Sequence, residues 1–267
     1  MANKKISSKN RGFSLVELSI VIIIMGLLVA SVTVGKDLIQ AAQLRGLISQ
    51  IHGFETQVST FQLKYNAYPG DISNANKRGL GSNNGDGDGF IEDDTSGGLP
   101  DTIAFEISYF WEHLNRAGFA DGAYDGDPTN GKVGETFPKA KHGGGISAYS
   151  VNGINYFHVG IGDAAAGSPK TQFFNDTLVP EDAFSIDNKL DDGFPLKGNV
   201  IARSASCSSG ANAFSCANTA ITTTSGGASQ TAGEACVLQA GASQDLNLDE
   251  YDFETSLIKC QLRIEIK

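Results

Sequence analysis

One carboxylate stands inside the most apolar segment of this sequence. Glu17 lies within 13–34, where almost every other side chain is apolar. An ionised carboxylate in hydrocarbon is costly, so it needs a cationic partner nearby. An amine is the natural partner, and a cut between Gly12 and Phe13 would create one a single helical turn before Glu17. These residue types therefore predict an ion pair that neutralises two charges in an apolar environment.

The residues around this cut form a specific pattern. Four basic residues precede it: Lys4, Lys5, Lys9 and Arg11. With Gly12, Phe13, Glu17 and the apolar run, the stretch 9–34 resembles the class III signal peptide of type IV pilins and type II secretion pseudopilins. The resemblance implies that prepilin peptidase removes a cytoplasmic leader, 1–12, and methylates Phe13. It also implies that Glu17 pairs with the amine of Phe13 in an adjacent subunit, which sets axial register during assembly.

Two ordinary membrane segments share part of this pattern. A secretory signal peptide also places basic residues before an apolar region, but that region is about 7–15 residues long and lacks an internal glutamate. Its cleavage site is hard to place here, because the nearest match, 30–32, lies within the helical pattern. A plain anchor accounts for the length of 13–34, roughly 33 Å as a helix, but leaves Glu17 unexplained.

The helical pattern continues beyond the membrane-length segment. Apolar residues recur at spacings of four and three, which is typical of one stripe on a helix. They are Leu47, Ile51, Phe54, Val58, Phe61 and Tyr65. We therefore predict one helix over 13–65, with a transmembrane or filament-core half, 13–34, and an amphipathic half, 35–65. The fold class is α+β, and the resemblance implies a pilin-like lollipop in which the helix packs on an extracytoplasmic antiparallel β-sheet head, 66–267, with long Gly-rich loops.

Within the head, the clearest local signal is Asn152-Gly153 between two alternating runs, which predicts a hairpin over 146–159 with a type I′ turn. We also predict a helix over 102–117 that is capped by Asp101 and stopped by Gly118. The remaining predicted elements are a short helix over 181–190 and strands near 199–203 and 258–266.

The stretch 84–95 combines oxygen-bearing side chains with glycines, and it resembles a calcium loop of the EF-hand or dockerin type. The candidate ligands are the side chains of Asn84, Asp86, Asp88 and Glu92, the backbone carbonyl of Phe90, and Asp93 or Asp94. Thr95 replaces the bidentate acid at the twelfth position, so Asp93 or Asp94 would have to close the loop. Calcium loops of this kind occur in pseudopilin heads, which favours a structural calcium over the alternative of a solvated acidic turn.

Four cysteines occur, all in the last quarter of the chain and on the predicted non-cytoplasmic side. They are Cys207, Cys216, Cys236 and Cys260. An even number in an oxidising compartment favours two disulfides, and three connectivities are open. A zinc site is the alternative, but there is no Cys-x-x-Cys pair and no histidine near these cysteines in sequence.

Composition and motifs limit the classes of function that this protein can have. The formal net charge of −10 argues against a broad nucleic-acid-binding surface. No catalytic motif accompanies the four histidines, so we expect a protein that is not an enzyme. We predict a structural subunit of a type IV pilus or a type II secretion pseudopilus. The alternative is a minor or tip pilin-like adhesin, or a substrate-binding subunit that uses the same stalk.

The resemblance also implies partners and location. The partners are other pilin or pseudopilin subunits, prepilin peptidase and the inner-membrane assembly platform. The precursor is expected to span the inner membrane once with its head in the periplasm, since the basic leader stays in the cytoplasm. The mature protein is then expected in a periplasmic or cell-surface filament.

Overall fold

The structure is a computed structural model that describes residues 14–93, 104–129, 131–162, 177–203, 236–238, 250–251 and 260–267. The chain consists of two units, Met1–Gln43 and Leu44–Lys267. Several predicted features lie outside the described residues. They are the leader 1–12, the Gly12-Phe13 cut, Asp94, Thr95, Asp101, Cys207, Cys216 and residue 258.

The predicted N-terminal helix is confirmed as α1, Leu15–Tyr65. Its first half is apolar, and every described side chain over 15–43 is exposed within the chain. The buried stripe begins at Leu44, later than the start of the predicted amphipathic half at 35. Polar residues interrupt the apolar pattern over 36–43, which is why the stripe cannot begin there.

The second half of α1 forms one side of the core. The buried stripe residues are Leu44, Leu47, Ile51, Phe54, Val58 and Phe61. The ring of Phe54 meets Trp111 at 4.6 Å and Phe157 at 6.1 Å between centroids. These contacts join α1 to α2, Glu106–Arg116, and to the sheet, so the amphipathic pattern identified the face that packs on the head.

The head contains a four-stranded antiparallel sheet. Its strands are β1 Gly145–Val151, β2 Ile154–Ile161, β3 Val200–Arg203 and β6 Gln261–Glu265, and its order is β1-β2-β6-β3. Two short strands, β4 Val237–Leu238 and β5 Glu250–Tyr251, form a separate pair. Because strand side chains alternate between faces, Phe157 and Ile264 share the core face while His158 and Arg263 share the other. The α+β class is therefore confirmed.

The predicted hairpin is confirmed between β1 and β2. Asn152 and Gly153 have φ values of 53° and 76°, which is the left-handed pair that a type I′ turn requires. The next helix, α3 Pro180–Leu190, and strand β3 also match their predictions within one residue. Local sequence patterns were sufficient to predict these helices and strands.

The prediction for the start of α2 is wrong. The helix begins at Glu106, and its N-cap residue is Phe105 with φ 53°. The predicted cap, Asp101, lies outside the described residues. The spacing of Ile103 and Ile107 predicted a helix across this residue, but the positive φ of Phe105 takes the backbone out of the helical conformation. The predicted stop is right, since α2 ends at Arg116 and Gly118 adopts φ +81°.

One disulfide is present among the described residues, between Cys236 and Cys260. Cys260 also pairs through its backbone with Leu178, just before α3. The bridge therefore links the start of β4 to the start of β6, two segments that are close only in the folded chain.

Candidate functional site

The start of α1 is organised around Ser14 and Glu17. The backbone N–H of Ser14 donates to Oε2 of Glu17 at 2.8 Å, and the N–H of Val16 donates to Oγ of Ser14 at 3.4 Å. A serine before the helix and a glutamate three residues later form a capping box. The positive end of the helix dipole further favours a carboxylate there. The sequence analysis missed the role of Ser14, although Ser-x-x-Glu before an apolar run was its signal.

The segment that follows Glu17 is not covered by any part of the chain that the structure describes. Among the described residues, α1 is the one helix long and apolar enough to cross a membrane. None of its most apolar stretch is buried inside the chain. A large exposed apolar surface marks a contact with lipid or with other protein, so this segment is an interaction surface by its own chemistry.

The acidic loop 84–92 wraps around two buried carboxylates that come from outside it. Asp71 Oδ1 and Oδ2 accept hydrogen bonds from the amides of Gly87 and Gly89, at 2.8 and 3.0 Å. The second carboxylate, on Glu106, uses Oε1 and Oε2 to accept from the amides of Asp86 and Glu92, at 2.9 and 3.1 Å. The loop is therefore held from inside by two acids.

Carboxylate oxygens converge in two overlapping sets. Oxygens of Asp86, Asp88 and Glu92 lie within 4.8 Å of one another, and so do oxygens of Asp71, Asp86 and Glu106. Two ligands of one calcium ion, at about 2.3–2.6 Å each, are at most about 5 Å apart. Each set is therefore spaced as ligands of one ion can be, and the structure brings together three of the predicted acids.

The remaining predicted ligands that the structure describes lie outside the two converging sets of carboxylates. Asn84 Oδ1 accepts a hydrogen bond from the Asn76 amide at 3.0 Å, so one of its lone pairs is used by the chain. The amide of Phe90 donates to Oδ1 of Asp88 at 2.9 Å, which curls the loop at its centre. Asp93 belongs to neither converging set of carboxylates.

Asp71 and Glu106 were missed as site residues. Asp71 was part of the turn that ends the first helix, and Glu106 stood among apolar residues of the next helix. The position of Glu106 was the signal that its side chain is buried. It lies one residue before Ile107 and four before Phe110, which are buried residues of α2. An acid beside a buried stripe requires a partner, because a buried charge is stable only when it is compensated.

Burial makes both carboxyl groups hard to ionise. Desolvation raises the pKa of Asp71 to about 6 and that of Glu106 to about 8, against the opposing effect of the loop amides. Nearby acids, among them Asp86, raise both pKa values further. No described Lys, Arg or His forms a salt bridge with either group. Hard oxygen donors that lack a counter-charge fit a calcium ion.

A cleft of about 320 Å³ opens beside the loop. Its lining combines the end of α1 with the loop itself: Gln62, Asn66, Ala67, Tyr68, Asp71 and 87–89. Because Asp71 and Asp88 line the cleft, it gives a route from solvent to the converging carboxylates.

The comparisons with known proteins found a known sequence motif at the N-terminus. The family model described as "Prokaryotic N-terminal methylation motif" matches residues 7–33. Neither the curated proteins nor the solved structures that were compared contain a match to the chain. The match covers Glu17 and nearly all of the apolar segment 13–34, and the cut between Gly12 and Phe13 stays a prediction. Residues 7–33 therefore carry the prokaryotic N-terminal methylation motif, which is the prepilin cleavage motif of type IV pilins and pseudopilins.

Proposed function

We propose that this protein is a structural subunit of a type IV pilus or of a type II secretion pseudopilus. The observation that carries the proposal is the methylation motif on a helix whose apolar side chains are exposed over 15–39. Such a helix needs a continuous apolar environment, first the membrane and then the helices of neighbouring subunits. The role is architectural, and the proposal assigns no catalysis to the chain.

Glu17 acts both in the membrane-anchored precursor and during filament assembly. In the precursor its carboxylate accepts the Ser14 amide at the head of the helix. Cleavage between Gly12 and Phe13 by prepilin peptidase creates a positive amine next to this position. During assembly, Glu17 exchanges its local hydrogen bond for an ion pair with the amine of Phe13 in an adjacent subunit, which fixes the axial register.

The partners and location follow from the same chemistry. The precursor is anchored in the inner membrane through the apolar half of α1, with its head in the periplasm. The assembly platform extracts the subunit from the membrane, and the apolar halves of neighbouring subunits replace the lipid. The mature subunit then resides in a periplasmic or cell-surface filament.

The acidic loop holds a structural calcium ion in this proposal. Asp86, Asp88 and Glu92 supply carboxylate oxygens, and the buried acids Asp71 and Glu106 complete the negative environment. Calcium supplies the positive charge that the described residues around Glu106 lack. Weak extracellular sites suffice for such a role, because the ion is abundant outside the cytoplasm.

Mass spectrometry of the N-terminal peptide, from protein purified out of its native membrane, tests processing. The expected terminus is N-methylated Phe13. An intact start at Met1, or cleavage near Ser31, would contradict the proposal and leave an ordinary anchor or signal peptide.

Complementation of a deletion strain tests assembly. Glu17→Gln removes the charge but keeps the size and the hydrogen-bonding capacity of the side chain, and we expect no filaments by electron microscopy. Glu55→Gln is the matched control on the same helix, where the carboxylate contacts His52 at the surface of the head. Filaments of normal number and length with Glu17→Gln would refute the ion-pair role.

Calcium titration of the full-length protein in detergent micelles tests the loop. We expect calcium to raise the midpoint of thermal unfolding in the wild type, and the increment to shrink in the double variant Asp86→Asn/Asp88→Asn. Asp121→Asn is the control, because Asp121 is exposed and belongs to none of the converging sets of carboxylates. An equal increment in all three proteins would exclude calcium from the loop.

A second candidate function is a ligand-binding head on the same stalk, as in an adhesin or a substrate-recognition subunit. The cleft beside the loop is the observation in its favour, because it is lined by polar groups and by Tyr68. Substitution of Gln62 and Asn66 by alanine separates the two functions. Normal filaments with lost adhesion or secretion would support the binding role, and normal filaments with normal activity would exclude this cleft.

A further inference from the structure

A second group of carboxylates lies at the C-terminal end of α3. Oxygens of Asp187, Asp191 and Asp192 lie within 4.8 Å of one another. The group shares no residue with the loop 84–92, and neither the methylation motif nor the proposed filament role assigns it any task.

The buried carboxylate of Asp187 has one satisfied and one unsatisfied oxygen among the described residues. The residue is 0% exposed, and its Oδ2 accepts a hydrogen bond from the Tyr251 hydroxyl at 2.8 Å. Its Oδ1 is buried and has no hydrogen-bond partner in the described part of the chain. Burial raises the pKa of Asp187, and the nearby Gly193 amide opposes that shift without satisfying Oδ1. A buried acceptor that is left unsatisfied is costly, so this oxygen is a candidate ligand for a cation.

The charge around Asp187 favours a cation over a neutral hydrogen-bond donor as its partner. No described Lys, Arg or His forms a salt bridge with the three acids. The negative end of the helix dipole lies at the same place, and carboxylates are unfavourable there. The basic residue of the last helical turn, Lys189, is exposed. A cation at this position would offset the repulsion among the three acids, the unfavourable interaction with the helix dipole and the unsatisfied Oδ1 of Asp187.

The two loop acids are held in position by the backbone. Asp191 Oδ2 accepts from the amides of Asn199 and Val200, and its Oδ1 accepts from Nδ2 of Asn199 at 3.0 Å. Asp192 Oδ1 accepts from the Phe194 amide at 2.8 Å. Carboxylates that are fixed before an ion arrives lose little conformational entropy on binding it.

We propose that Asp187, Asp191 and Asp192 form a divalent-cation site of the calcium type. Hard carboxylate oxygens suit calcium, and their spacing permits one ion to touch all three groups. The site would join three parts of the head: the end of α3, the start of β3 through Asp191, and β5 through the hydrogen bond from Tyr251 to Asp187.

Terbium luminescence on the full-length protein in detergent micelles tests the site. Terbium replaces calcium at oxygen sites and emits when a nearby aromatic ring is excited, and Tyr251 contacts Asp187 directly. The double variant Asp86→Asn/Asp88→Asn is the background, so that ions in the other loop do not contribute. We expect tyrosine-sensitised emission that calcium displaces, and we expect Tyr251→Phe to reduce the emission.

Single substitutions in this background decide the outcome. Asp187→Asn and Asp192→Asn should each weaken terbium and calcium binding by about 10- to 100-fold. Glu181→Gln, on the exposed first turn of the same helix, should leave binding unchanged. Should Asp187→Asn fail to fold, Asp192→Asn decides alone, because Asp192 is exposed. Unchanged affinity in Asp192→Asn, or no calcium-displaceable emission in the background, would overturn the proposal and leave water as the partner of Oδ1.

Discussion

The two halves of helix α1 share one backbone conformation and have opposite relations to the rest of the chain. Over 15–43 every described side chain is exposed, and Leu28 retains 61% of its accessible surface. Over 44–65 one stripe is buried, and Leu47 is 0% exposed. The first half therefore depends on another molecule for its apolar contacts, whereas the second half obtains them from its own head.

This difference follows from the arrangement of apolar residues, more than from their number. A helix that is apolar on all faces cannot hide its surface against one domain, so it needs lipid or several neighbouring helices. A helix with one apolar stripe is satisfied by a single packing surface. The prepilin motif coincides with the first half, where an outside partner is required.

Leucine truncation should separate the two halves most strongly. Leu47→Ala removes a fully buried side chain, and we expect it to lower the free energy of unfolding of the head by about 2–5 kcal/mol. Leu28→Ala should change it by less than about 0.5 kcal/mol. Urea titration of the full-length protein in micelles measures both, and the fluorescence of Trp111, the only tryptophan, is the probe. Equal destabilisation by the two variants would break the comparison.

A lysine in each half tests where lipid is needed. Leu28→Lys should oppose membrane insertion by about 2.5–3.5 kcal/mol. Leu63→Lys should have no such effect, because Leu63 is 89% exposed on the part of α1 that belongs to the head. Alkaline extraction of membranes measures the retained fraction. Full retention of Leu28→Lys would argue that this segment does not span the bilayer.

The interior of the head should respond to acid through His113. Its Nδ1 accepts the Gly70 amide at 2.9 Å, and burial lowers its pKa from 6.5 to about 4. The unfolded chain therefore binds more protons at this residue between pH 6.5 and 4, and stability falls as the pH is lowered, by up to about 3 kcal/mol.

The variant His113→Asn isolates this contribution, because asparagine offers an acceptor near the position of Nδ1 without titrating. Urea titrations of both proteins at several pH values give the difference in free energy, in which the effects of the buried carboxyl groups cancel. We expect the wild type to lose more stability than the variant from pH 6.5 to 4. Parallel pH profiles would contradict the assignment.

The smallest expected effect concerns the capping box. Ser14→Ala removes the side-chain acceptor at the start of α1 and should cost about 1 kcal/mol. Ser59→Ala is the control, since the Ser59 hydroxyl bonds to the Glu55 carbonyl within the helix. Hydrogen exchange of the first helical amides in micelles should accelerate only in Ser14→Ala. Unchanged exchange would show that Ser14 does not stabilise the start of the helix.

Much of the fold was predictable, because its signals are local. The hairpin follows from Asn152-Gly153, and the burial of Phe54 and Val58 follows from helical spacing. The start of α2 was not predictable, since the positive φ of Phe105 carries no sequence signature. For the cysteines, sequence left three connectivities, and the fold joined Cys236 to Cys260 by bringing β4 and β6 together.

By itself, the sequence determined the N-terminal motif of this protein. Glu17, the methylation motif and the apolar half of α1 are contiguous, so their meaning depends on spacing along one helix. Only the tertiary structure decided which acids belong together. Asp71 and Glu106 approach the loop 84–92 from separate parts of the chain, and Tyr251 reaches Asp187 across a separation of 64 residues. Packing of distant segments creates these environments, and no local pattern records which distant residues will meet.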